Sequence, residues 1–158
     1  MIKKKLPNQS NAFQTAVESV HDLVSAYRKG LKALDNAAAS CMVVNNSRLV
    51  DGSVDIDTTL KRKYPKANRW DYVFSYNGKA YYVEVHPATD GQVKVMMAKK
   101  KWLIDWLQIE AQSLDAYPSA SPRLYWIQSG RNGLTKGSIE YRRAAQTGLL
   151  PQPKLCLV

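Results

Sequence analysis

The chain has 158 residues, 45% of them hydrophobic and 23% charged, the make-up of one folded domain and not of a disordered segment. Lys and Arg outnumber Asp and Glu by 23 to 13, a net charge of +10 at pH 7 that repels itself unless an anion is close by. Cys41 and Cys156 are too few and too far apart for a disulfide framework or a zinc site, and no stretch approaches the ~20 apolar residues that span a bilayer.

Met1-Ile-Lys-Lys-Lys leads to Pro7, Asn8, Gln9 and Ser10 where a secretory signal needs its apolar run, so a reducing, cytoplasmic setting is the expectation. Residues 11 to 36 carry Phe13, Val17, Val20, Val24, Tyr27, Leu31 and Leu34 at spacings of three and four, which predicts an amphipathic helix. Asn8, Ser10 or Asn11 is placed to cap it, and Gly30 to bend it. Cys41 to Val44, ending at Asn45-Asn46, reads as a strand. Residues 47 to 69 combine Asp51, Asp55 and Asp57 with Lys61, Arg62, Lys63, Lys66 and Arg69; Pro65 interrupts any helix, so an excursion with one short helix near 57 to 63 is expected.

Residues 70 to 86 give the clearest local pattern. Two runs rich in Tyr, Val and Phe flank Asn77-Gly78, the dipeptide that suits a type I′ hairpin because both turn positions need positive φ. Pro87 withholds a ladder donor and ends the second strand. Residues 92 to 114 then read as a long helix, Arg123 to Gln128 as a strand, 138 to 146 as a short helix and Leu155 to Val158 as a final apolar run. The order α, β, β, β, α, β predicts a single α/β domain over 1–158. Its mixed central sheet carries flanking helices, with a core over about 11–128 and a C-terminal extension over about 129–158.

With Asn77 and Gly78 at the turn, Tyr76 faces Lys79 and Asp71 falls opposite Glu84. Strand alternation puts Asp71, Val73 and Ser75 on one face with Ala80, Tyr82, Glu84 and His86. The other face holds Trp70, Tyr72, Phe74, Tyr76, Tyr81, Val83 and Val85; being more apolar, it is expected to meet the long helices. Opposed carboxylates repel, so the pair asks for a cation, or for a nearby Arg69 or Lys. Mg²⁺ or Mn²⁺ suits it, because such ions take one or two carboxylates and complete their shell with water and phosphate.

This arrangement resembles the PD-(D/E)XK nuclease superfamily over about residues 11 to 128. The resemblance implies that Asp71 and Glu84 hold a metal, that Glu18 on the first helix joins them, and that Lys94, Lys99, Lys100 and Lys101 face substrate. The family's Lys two residues after the Glu is His86 here. Either His86 takes over water activation, or a Lys from the following helix reaches the site, or the site is degenerate. Arg69 is a further candidate for contact with nucleic acid; Lys61 to Lys66, with Arg142 and Arg143, could meet phosphate or equally be solvated charges, and Tyr82 shares the site face as an aromatic surface on which a base could stack. His21 falls about one turn after Glu18.

The expected function is therefore metal-dependent cleavage of nucleic acid, DNA ahead of RNA, with no membrane partner. By analogy, a homodimer that cuts two strands is the assembly to look for. The rival readings are a non-catalytic nucleic-acid-binding module on the same fold, and a basic domain that docks an acidic protein surface.

Overall fold

The Asn77-Gly78 hairpin is the middle of the sheet. In the computed structural model, which describes residues 11–158, these two residues turn the chain with φ of 49° and 76°. The strands are β1 (Met42–Val44), β2 (Val50–Asp55), β3 (Tyr72–Tyr76), β4 (Lys79–Thr89), β5 (Ser119–Gly133) and β6 (Leu155–Leu157). The helices are α1 (Ala12–Glu18), α2 (Asn36–Ser40), α3 (Ile56–Leu60), α4 (Val93–Ile109), α5 (Gln112–Ala116) and α6 (Ile139–Gln146). Strands β2, β3, β4 and β5 lie side by side in that order. The first two contacts are antiparallel and the β4–β5 contact is parallel, with α4 and α5 in the crossover that parallel pairing demands.

The mixed α/β architecture agrees with the sequence, but its first strand does not. Cys41–Val44 was the expected opening strand of the core; instead β1 pairs in parallel with β6 as a separate two-stranded sheet, Met42 against Leu155 and Val44 against Leu157. The opening strand of the central sheet is β2, inside the stretch read as an excursion. Its Asp, Gly and Ser are weak strand formers, and only pairing with β3 makes them one. Gly52 lies at φ 150° beside the register shift of β2, and a Cβ there would run into the Tyr27 ring.

The long first helix also breaks up. Asn11 does cap α1 by accepting from the Gln14 amide, whereas Asn8 and Ser10 lie outside the described residues. α1 ends at Glu18, and Val20 is already extended at φ −85°, ψ 119°. Farther on, Arg28 pairs its backbone with Ser53 and covers the β2 edge. The apolar stripe survives only in part: Val20 is buried beside Leu23 and Ala26 in one core and Leu34 is buried in the other, while Val24 is exposed. Pro87 does not end β4, which runs on to Thr89 with a register shift between His86 and Ala88.

Both faces of the sheet are covered. Tyr72, Phe74, Tyr76 and Val83 pack with Leu34, Ala38, Met42, Leu155 and Leu157, so the C-terminal residues help build one core. Val73, Ala80 and Tyr82 pack with Met96, Leu103, Trp106 and Leu107 of α4. The long helix thus lies on the carboxylate face, opposite to the expectation from hydrophobic patterning. A sheet buried on both sides has no solvent face, and its small residues Val73 and Ala80 leave room for the tryptophans and leucines of a helix.

Candidate active site

The hairpin register, Tyr72 against Val83, sets Asp71 opposite Glu84 at the end of the ladder. Side chains complete the pairing there. The Asp71 amide donates to Glu84 Oε1 at 3.0 Å, and the Val85 amide donates to Asp71 Oδ2 at 3.0 Å. Glu84 is 1% exposed at its side chain. Burial, and after it the charge on Glu84, push the Asp71 carboxyl up to about 8, so near neutral pH this carboxyl holds a proton.

Lys99 supplies the positive charge. Because α4 crosses this face with Met96 and Leu103 buried in the core, Lys99 between them is carried onto the sheet. Its Nζ donates to Glu84 Oε2 and to the Arg69 carbonyl, both at 3.0 Å, and the side chain is only 16% exposed. Of three ammonium protons, two are thereby engaged and one is free for another acceptor. A lysine from the following helix thus does reach the Glu of the pair.

His86 stands at the edge of the same group. Its Nδ1 is 3.7 Å from Glu84 Oε2, and its Nε2 is 2.6 Å from Gln92 Oε1. The Glu84 contact, and then Gln92, raise the imidazole above its ordinary range against the opposing effect of burial. Gln92 was not legible as a site residue. It sits in the turn before α4, six positions after His86, where no periodicity or motif marks it.

The other expected site residues are placed elsewhere. Glu18 is exposed at the end of α1 and accepts from Gln14 Nε2. Among the described residues no cluster of three or more His, Cys, Asp or Glu could hold a metal, so Glu18 does not join the pair. His21 is exposed as well. Tyr82 is completely buried under the Arg123 guanidinium, 5.0 Å from the ring centre, and therefore cannot stack on a base. Arg69 is spent inside the protein: Nε donates to Asp57 Oδ1 at 2.9 Å and Nη1 to the Tyr64 carbonyl at 2.6 Å. Lys100 donates to the Thr147 carbonyl, Lys101 pairs with Asp105 one turn on, and Lys94 is exposed. The acids of the excursion are structural. Asp51 accepts from Ser75 Oγ and the Gly78 amide, Asp55 caps α3 through the Thr58 amide, and Asp57 holds Arg69.

Two hard oxygen donors side by side are the donor type that a Mg²⁺ or Mn²⁺ ion takes, its remaining ligands coming from water and substrate. A pH dependence follows from the shifts. A group that binds its proton more tightly in the fold stabilises it below the unfolded pKa, 3.8 for Asp, and that contribution is lost as pH rises through the folded value of about 8. Asp71 and His86 both shift upward, so in EDTA the melting temperature is expected to fall across this window. Asp71→Asn should flatten the fall; a wild-type midpoint that climbs from pH 5 to pH 8 would contradict the assignment.

No family model, curated protein or solved structure matches this chain.

Proposed function

We propose that this protein is a nuclease-like phosphodiesterase of the PD-(D/E)XK kind, in which Asp71 and Glu84 hold Mg²⁺ or Mn²⁺ and Lys99, from the helix, takes the place of the family's strand lysine. The observation that carries this reading is the ammonium of Lys99 at 3.0 Å from the buried Glu84, on the face where Asp71 lies opposite. A metal bound there would lower the pKa of a coordinated water and shield charge on a phosphate.

The protein's own groups supply the rest. The Val85 and Asp71 amides hold the two carboxylates in place. Lys99 keeps one N–H for a phosphate oxygen, while the Arg69 carbonyl and Glu84 accept the other two and orient the ammonium. His86, fixed by Gln92, stands beside Glu84 as a second proton-exchanging group. The net charge of +10 suits a polyanionic substrate, with DNA as the first to try.

Calorimetric titration of Mn²⁺ into wild type and Asp71→Asn, with a plasmid cleavage assay on the same samples, tests the reading. Metal binding and cleavage by the wild type, both reduced to background in Asp71→Asn, are the expected result. Wild type that binds DNA but no metal would be a non-catalytic binding module on this fold.

A further inference from the structure

The segment between α3 and β3 carries the densest basic run of the chain, and the fold disposes of only part of it. Lys63 pairs with Asp22, and Arg69 is held by Asp57 and the Tyr64 carbonyl. Lys61, Arg62 and Lys66 are exposed, and their side chains make no hydrogen bond or ion pair with any described residue. Three like charges gathered on one short loop repel each other, a cost that an anionic partner removes.

The loop is also built and tied to the carboxylate pair. Arg69 closes it by bonding both the carboxylate and the carbonyl of Asp57 near its start. Tyr64 packs edge-on against Trp102 of α4, ring centres 6.0 Å apart. The end of the loop is the Arg69 carbonyl that accepts from Lys99, two residues before Asp71. Five steps of chain separate Lys66 from Asp71, a reach of at most about 18 Å. On a duplex strand that advances about 3.4 Å per nucleotide, such a reach covers at most about five phosphates. Of the four lysines of α4, Lys99, Lys100 and Lys101 are already engaged, which leaves Lys94 exposed on that helix.

We infer that the 61–66 loop is the backbone track for nucleic acid, with Lys61, Arg62 and Lys66 each neutralising one phosphate of the strand whose neighbouring phosphate lies at Asp71 and Glu84. This rests on the phosphodiesterase reading above and adds to it where the substrate runs. A lipid surface fits less well, because the loop's aromatic residue, Tyr64, is turned inward onto Trp102 and leaves no insertable apolar side chain.

The test is equilibrium binding of a fluorescent DNA duplex, and of its RNA counterpart, to Lys61→Ala/Arg62→Ala/Lys66→Ala in EDTA over 50 to 300 mM salt. The triple variant is expected to bind about 100-fold more weakly near 0.1 M salt, with the slope of log affinity against log salt shallower by about 3. A net-charge control, Lys29→Ala/Lys32→Ala/Lys79→Ala, should lose several-fold at most. Equal losses in the two variants, or an unchanged slope in the loop variant, overturn the track. Loop-dependent binding to phosphatidylserine vesicles without nucleic-acid binding overturns it too. Mn²⁺ titration into the same loop variant keeps the two readings apart, since retained metal binding leaves the carboxylate site standing whatever the loop does.

Discussion

Lys99→Met is expected to lower turnover on DNA by about 10²–10³-fold with little change in KM, the size of loss that follows removal of one preorganised charge from a developing anion. His86→Ala should cost much less. On the proposed reading the two side chains are candidates for one role, and their contacts differ. Lys99 touches Glu84 directly and is gripped at two points, whereas His86 reaches Glu84 only at 3.7 Å and makes its short contact to Gln92. Lys99→Arg should not restore the rate, because a planar guanidinium cannot bond Glu84 and the Arg69 carbonyl from the same point. If His86→Ala proves the more damaging change, water activation belongs to the imidazole and Lys99 is a structural counter-ion.

Glu84→Ala should cost roughly 3–5 kcal/mol, because removing one partner of a buried ion pair leaves the other uncompensated. At 2–4 °C per kcal/mol for a chain of this size, the melting temperature falls by about 6–20 °C. The variant strands Lys99, 16% exposed, and leaves the Asp71 amide without its acceptor. The double variant Glu84→Gln/Lys99→Met removes both charges and keeps an acceptor for that amide, so it should melt closer to wild type than either Glu84→Ala or Lys99→Met. Differential scanning calorimetry at one pH reads all four proteins. A double variant that melts no higher than Glu84→Ala and Lys99→Met would show that the pair is not a coupled unit.

What was legible in the sequence is what depends on near neighbours. Asn77-Gly78 fixes a turn, the turn fixes the register, and the register alone sets Asp71 against Glu84. Asn11 as the α1 cap and α6 at 139 to 146 belong to the same class. Hydrophobic spacing was a weaker guide. Residues 20 to 34 keep a helical spacing but form only a single 3-10 turn at His21–Leu23, because burial can be met by irregular chain whose backbone finds other partners, as Arg28 does with Ser53.

The sequence by itself determined the carboxylate pair, the hairpin that holds it and the net charge of +10, since each is a matter of local spacing or simple count. Only the tertiary structure decided which cation faces the pair and which basic residues are free. Lys99, Lys100 and Lys101 are consecutive and chemically alike, but helical rotation sends one to Glu84, one to the Thr147 carbonyl and one to Asp105. That choice depends on which face of the sheet α4 covers, and a sheet buried on both sides does not write this into its own alternation.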